Sequence, residues 1–326
     1  MLGRASLATG SAILALTLSG LWAFQVWSQS PGSSFRGPDG PTAGSLQSRG
    51  STSSPANSEV ASAAQASGPA YRVADHTVVS PILAALLASA RPNEHPLMPA
   101  IRWAKQELEN VRRIEDYSAI VVKRERIGGE LSEEEYAFVK IRHRPFSVYM
   151  RFLHPPSIRG QEVIWVEGAN DGKMWARGTG LKRVFGTVSL SPTSPIVMQN
   201  NRYPITEIGI LRLVERIIEV AEHDAQYGEC EVTYYPGAKI NDRPCLCIQV
   251  VHPVPRVNFR FHIARVFVDE ELRLPVRYES YDWPAKPGGP PLLLEQYTYL
   301  NIRLNNGFTD RDFDINNPEY GFTGRK

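Results

Sequence analysis

The apolar positions between residues 136 and 190 follow a pattern that predicts a series of short β-strands. Apolar and polar side chains alternate in three successive runs, at 139–141, 146–152 and 163–165. Residues two apart lie on the same face of a strand, so each run predicts a strand with one buried face. Arg-Pro, Pro-Pro and Asn-Asp-Gly sequences interrupt the runs where the chain has to turn. Short strands joined by short links make an antiparallel meander.

Two longer segments have a helical pattern. The first extends from 96 to 115 and places its apolar residues on one face. The second extends from about Thr206, a suitable N-cap, to His223. It carries two adjoining apolar rows, one of which consists of Ile208, Leu211, Val214, Ile218 and Ala221. Such a wide apolar arc predicts that the second helix lies over an apolar surface.

Strand patterns resume after residue 230 and continue to the long segment at 292–305. We count roughly ten strands and two principal helices, which predict one α+β domain over residues 94–326.

Residues 1–27 predict a segment that directs the chain to a membrane. Arg4 precedes an uncharged run whose length fits a bilayer span of about 20 residues better than a signal-peptide core of roughly 7–15. We therefore favour an uncleaved signal anchor over a cleaved signal peptide, and both export the rest of the chain. Residues 28–93 predict a disordered linker rich in Ser, Gly, Pro and Ala, with a short helix over 81–90.

Charge and motifs narrow the classes of function. A formal net charge of +2 over 326 residues gives no electrostatic footprint for nucleic acid. The sequence has no G-x-S-x-G nucleophile elbow, no glycine-rich phosphate loop before a helix and no H-E-x-x-H zinc motif. His252 and His262 are expected on neighbouring strands, as hydrogen-bonded or surface histidines rather than metal ligands. We expect no cofactor, no metal and no enzymatic activity.

The three cysteines leave two interpretations open. Cys245 and Cys247 are two residues apart on one predicted strand, so they point the same way and cannot easily bond to each other. Cys230 lies on the preceding strand of a predicted hairpin. It forms a disulfide with Cys247 or Cys245 in one interpretation, and all three are buried free thiols in the other.

The order of sequence blocks resembles a known family. A helix and a KRER strand are followed by VKIRHRPFSVYMRFLHP, GQEVIWVEG, GTVSL, RYPITEIGI, RPC, LPVRYESYDWP and DFDINNPEYGF. Over about 95–324 this series is similar to domain-of-unknown-function family 1571 of the bacterial envelope, for which no catalytic residues are assigned. A more distant resemblance is to periplasmic lipoprotein carriers of the LolA/LolB type. It implies a curved antiparallel sheet, an incomplete barrel, with the two helices over its open side.

The resemblance also implies a function and a location. We expect a non-enzymatic envelope protein that binds a lipid or an acylated protein in an apolar cavity between sheet and helices. The expected location is an inner-membrane anchor with the domain in the periplasm, or free secretion to the periplasm if the anchor is cleaved. The alternative is a scaffold module with a closed core, and a hydrolase comes third. The residues expected to line the cavity are Met150, Phe152, Val163, Trp165, Leu211, Val214 and Ile218.

Overall fold

The computed structural model describes residues 71–322. The predicted anchor over 1–27 and most of the predicted linker lie outside the described residues. Among the residues described, no helix is long and apolar enough to cross a membrane.

Thirteen strands are present in the described part of the chain. They are β1 (Tyr71–Val73), β2 (Asp116–Ile127), β3 (Glu130–Leu131), β4 (Glu135–His143), β5 (Phe146–His154), β6 (Glu162–Val166), β7 (Met174–Arg177), β8 (Thr187–Leu190), β9 (Glu231–Ile240), β10 (Arg243–Val251), β11 (Ile263–Asp269), β12 (Pro275–Asp282) and β13 (Leu292–Leu304). The α-helices between them are α1 (Pro81–Ser89), α2 (Met98–Arg112), α3 (Pro195–Met198) and α4 (Ile210–Asp224).

The strands form one open sheet. Their order is β1-β9-β10-β11-β12-β13-β2-β4-β5-β6-β7-β8, with β3 paired to β2. All neighbours are antiparallel except β1 and β9, which are parallel. The predicted class, an α+β fold with an unclosed antiparallel sheet and helices on it, is confirmed. The predicted meander corresponds to β4, β5 and β6 and continues through β7 to β8.

One face of the sheet, here called the inner face, is covered by helices. Alternation along β2 puts Tyr117, Ala119 and Val121 on this face, and the facing residues of β4 and β5 are also apolar. These side chains form one core with Val111 of α2 and Val214 of α4. A second core lies under α1 and α2 against β9 and β10.

Helix α4 begins four residues later than the sequence predicted. Its first backbone N–H, that of Ile210, donates to the Tyr117 hydroxyl at 2.8 Å instead of to a Thr206 side chain. Gly209 precedes it at φ 113°, and a Cβ there would lie 3.0 Å from the Tyr117 oxygen. The start of α4 is therefore set by contact with the sheet, a tertiary feature that the local capping pattern does not contain.

Residues 71–93, which the sequence analysis placed in the linker, belong to the folded unit. Strand β1 pairs with β9, and α1 buries Ile82, Leu83 and Leu86 in the second core. Ser80 caps α1 by accepting the N–H of Leu83. The ordered part of the domain thus starts before residue 94, because α1 covers apolar surface that would otherwise be open to water.

Candidate ligand-binding face

The seven residues expected to line a cavity come together on the inner face. All of them belong to, or pack against, the core beneath α4. Val163, Trp165, Val214 and Ile218 are buried in it, whereas Met150, Phe152 and Leu211 are half-buried at its edge. The structure therefore brings the predicted residues into one cluster. Their role in binding a ligand remains a prediction.

The half-buried residues are part of a larger apolar surface, here called the apolar strip. It lies on the inner face of β5–β8 and on the chain that crosses from β8 to α4, and its members contact the core while staying partly open to solvent. They are Met150, Phe152, Ala176, Leu190, Val197, Ile205, Ile208 and Leu211. Partly exposed apolar residues that pack against one core in this way are typical of a ligand groove or an interaction site.

A separate surface groove of about 420 Å³ lies between α2 and α4. Of the seven predicted residues, only Ile218 contacts it, and four of its lining residues are acidic or histidine side chains at Glu215, Glu219, Glu222 and His223. Because only one of the seven predicted residues contacts this groove, we place the candidate site on the apolar strip.

At one end of the strip the inner face becomes polar. Glu125 of β2 and Glu295 of β13 are directly paired and buried. Tyr297 donates to Glu125, and Ser280 donates to Glu295 at 3.0 Å. On the same face of β2, the Lys123 ammonium lies 3.2 Å from a carboxylate oxygen of Glu135.

This polar cluster holds residues 201–203, which are part of the chain that crosses from β8 to α4. The backbone N–H of Arg202 donates to Glu125 at 3.2 Å, and its guanidinium lies 3.1 Å from Glu295. The Lys123 ammonium donates to the Asn201 side chain at 2.7 Å. Burial and the nearby Glu295 carboxylate raise the pKa of the Tyr203 phenol to about 12. All four oxygens of the two glutamates have donors or cations beside them. We therefore assign them to fixing residues 201–203 over the sheet rather than to acid–base catalysis.

Sequence reasoning missed this cluster. Lys123 and Glu125 share the face of Val121, so charged residues on an otherwise apolar face were a visible signal. The position of its partner Glu295 was not visible in the sequence, because only the register of β2 against β13 places Glu295 opposite Glu125.

His252 and His262, which the sequence analysis singled out, contact other groups of the protein. His262 Nδ1 lies 2.8 Å from the carbonyl oxygen of His252, and His252 Nε2 lies 3.4 Å from a carboxylate oxygen of Asp224. Both His252 and Asp224 are buried. The residues that the structure describes contain no group of three His, Cys, Asp or Glu side chains placed to hold a metal ion.

The structure has three free cysteines and not the disulfide of the first interpretation. Register pairs Glu231 with Val251, so Cys230 lies at the level of residue 252. Cys247 is five residues further along its strand, roughly 16 Å away at about 3.3 Å per residue, well beyond the Cα separation of about 7 Å that a disulfide tolerates. Burial raises the pKa of the Cys247 thiol to about 12, as expected for an unreactive thiol.

Comparison with known proteins identifies the family. The family model described as protein of unknown function, DUF1571, matches residues 114–322. The chain belongs to this family. The predicted resemblance is thereby confirmed over nearly the whole domain.

Several solved structures are similar to this DUF1571 member at low identity. A lipoprotein, LppX, of Mycobacterium tuberculosis is 12% identical, with 66% of this chain and 99% of that one covered and a TM-score of 0.38. A putative outer membrane lipoprotein-sorting protein domain of Vibrio parahaemolyticus is 14% identical, with coverages of 65% and 98% and a TM-score of 0.31. A LolA superfamily protein of Nitrosomonas europaea is 12% identical, with coverages of 65% and 97% and a TM-score of 0.26. No curated protein matches the chain.

Proposed function

We propose that this protein binds a lipid, or the acyl chains of an acylated protein, on the apolar strip and acts without catalysis in the cell envelope. The observation that carries the proposal is the partial exposure of the strip beside a well-buried core. Met150, Phe152 and Leu211 contact that core and still present apolar surface to solvent. Covering such surface is favourable by about 25 cal/mol per Å², and an acyl chain can do so without hydrogen-bonding partners.

The polar cluster supports the same function. It fixes residues 201–203 to side chains of β2 and β13, in the same chain segment that carries the strip residues Val197, Ile205 and Ile208. The resemblance to LolA/LolB-type carriers suggests an acylated ligand. The export of the domain, through an anchor over 1–27 and a linker that follows it, is part of this proposal.

Photo-crosslinking tests the binding site. The full chain is incubated with a fatty acid that carries a diazirine group, illuminated, digested and analysed by mass spectrometry. We expect labelled peptides that contain Met150–Phe152 and Ile205–Leu211. The variant Leu211→Gln should lose label, whereas Val79→Gln, at an exposed apolar position away from the strip, should keep it. Label distributed without preference for the strip would contradict the proposal.

A scaffold role is the second candidate, and one observation favours it. Val163, Trp165, Val214 and Ile218 are buried by the protein's own side chains, as in a closed core. In that case the purified protein should contain no lipid after extraction with organic solvent, and the diazirine probe should not label the strip.

A further inference from the structure

The loop between β7 and β8 presents an unusual surface. Every residue from 180 to 186 is exposed, and Leu181, Val184 and Phe185 are 94%, 83% and 74% exposed. Three large apolar side chains within five residues of an exposed loop leave a substantial apolar area in water. Lys182 and Arg183 lie between them, and neither side chain forms an ion pair with another described residue.

This loop lies at one end of the strands, next to other loops that carry positive charge. Because neighbouring strands are antiparallel, the turn after β2 lies at the same end of the strands as four loops, those that follow β5, β7, β10 and β12. These loops, here called the basic rim, are 155–161, 178–186, 252–262 and 283–291. They contain no Asp or Glu and six basic residues: Arg159, Lys182, Arg183, Arg256, Arg260 and Lys286. Val254 and Val257 on the third loop are exposed as well.

The same end of the sheet also carries acidic residues, on the turn between β2 and β4 and on the segment before β9. The turn around β3 carries Glu130, Glu133 and Glu134, and Glu229 pairs with Arg256 at 2.8 Å. The loops at the opposite end of the strands, 144–145, 167–173, 241–242 and 270–274, differ clearly. They contain five acidic residues (Glu167, Asp171, Asp242, Glu270 and Glu271) and three basic ones (Arg144, Lys173 and Arg273). The four loops of the basic rim and the four loops at the opposite end therefore differ in the sign of their charge.

We infer that the loop 180–186 inserts into the surface of an anionic lipid bilayer, with the basic rim facing the headgroups. The apolar side chains enter the boundary between headgroups and acyl chains, and the two cations beside them contact lipid phosphates. Exposed apolar residues interleaved with Lys and Arg are the pattern of interfacial membrane contact. This contact is additional to the proposed ligand site, since it uses exposed residues that the apolar strip does not contain.

The positive charge of the basic rim favours an anionic bilayer over a protein as the binding partner of this surface. A protein partner or a second copy would cover Leu181 and Phe185 equally well, but nothing in that case requires four separate loops to lack acidic residues. A bilayer with anionic lipids is an extended negative surface that all four loops can face at once. Each Lys or Arg near such a surface contributes independently to binding.

Site-specific fluorescence tests the inference on the full chain reconstituted into vesicles. An NBD fluorophore is attached to Phe185→Cys, to Val184→Cys as a second position on the loop, and to Glu271→Cys at the opposite end, where the side chain is 81% exposed. The native cysteines are buried or half-buried, and unmodified protein gives their background labelling. Vesicles are phosphatidylcholine with or without phosphatidylglycerol, each with and without a lipid-borne quencher.

With phosphatidylglycerol, both loop labels should shift to the blue and be quenched by the lipid-borne quencher, and the label at 271 should do neither. Neutralising both cations with Lys182→Gln and Arg183→Gln should lower the ratio of inserted to free loop roughly 30-fold, which corresponds to about 2 kcal/mol.

The same response at 185 and 271, or no response at either loop position, would overturn the inference. Equal responses in both vesicle types would overturn the assignment to an anionic surface. Loop labels already buried in detergent solution would indicate a protein partner instead. A failure of lipid photo-crosslinking on the apolar strip would leave these outcomes unchanged.

Discussion

Two alanine substitutions on α4 separate a ligand-lined surface from a closed core. Leu211 and Ile218 are seven residues apart on the same side of the helix, and both contact the core beneath it. Ile218 is 7% exposed, whereas Leu211 is half-buried. The pair thus compares similar aliphatic side chains that differ mainly in how far the protein itself covers them.

The expected losses of stability follow from that difference. Ile218→Ala removes a fully buried side chain and should lower the free energy of unfolding by roughly 2–5 kcal/mol. Leu211→Ala removes a side chain that is already partly exposed to water, so the loss should be smaller, roughly 1–2 kcal/mol. Alanine is also the better helix former, which reduces both losses by a few tenths of a kcal/mol.

Ligand binding should respond in the opposite order. If an acyl chain covers Leu211, losing its apolar surface should weaken binding of a fluorescent fatty acid by about 1–2 kcal/mol, or roughly 5–30-fold. Ile218→Ala should change the affinity much less, provided that the protein is still folded. Urea unfolding followed by tryptophan fluorescence gives the stability, and titration with the fatty acid gives the affinity.

One combination of results would refute this reasoning. If Leu211→Ala destabilises the protein as much as Ile218→Ala and fatty-acid binding is absent or unchanged, the face is a closed core. The scaffold function would then be the better conclusion.

Three further predictions concern stability and chemistry. Asp116→Ala should cost roughly 2–4 kcal/mol in urea unfolding, because the buried carboxylate accepts three backbone N–H groups of 306–308; an unchanged midpoint would contradict this. Labelling of the denatured, unreduced protein should count three thiols, and a count of one would restore the disulfide. Burial lowers the pKa of His252 despite the nearby Asp224. The unfolded state therefore binds more protons than the folded state below about pH 6.5, and the free energy of unfolding should fall as the pH drops through that value. His252→Phe should flatten this dependence, and an equal slope in both proteins would contradict it.

The sequence predicted those elements whose pattern is local. Strand β4 alternates buried and partly exposed side chains, whereas the first four residues of both β5 and β6 are buried on both faces, because the C-terminal segment packs on the outer face of these strands. The apolar residues of the inner face still recur at every second position, which was sufficient to find the strands. The apolar arc of α4 was visible for the same reason, since a helix of that period must cover something apolar. The seven residues of the predicted site come together because they lie on these elements.

Features that depend on pairing between distant segments were not predictable in this way. Strand β1 has three residues and is fixed by parallel pairing with β9, so no local pattern marks residues 71–73 as folded. Glu125 and Glu295 face each other only through the register of β2 and β13. The disulfide interpretation placed Cys230 opposite Cys245 or Cys247, and the register of β9 and β10 displaces it toward residue 252.

The inferred membrane contact and the proposed ligand site are related by the direction of the strands. Strand β1 is parallel to β9, which starts at the basic rim, so the chain also enters the described fold at that end, at Tyr71. Phe152 of the apolar strip is two residues from the end of β5, where the first loop of the rim begins. The exposed loop 180–186 follows β7, two strands away from β5 in the sheet, and lies at the same end of the strands. If that loop lies in a bilayer, the ligand can pass between strip and membrane with little apolar surface exposed to water, which would otherwise oppose transfer at about 0.8 kcal/mol per CH₂ group.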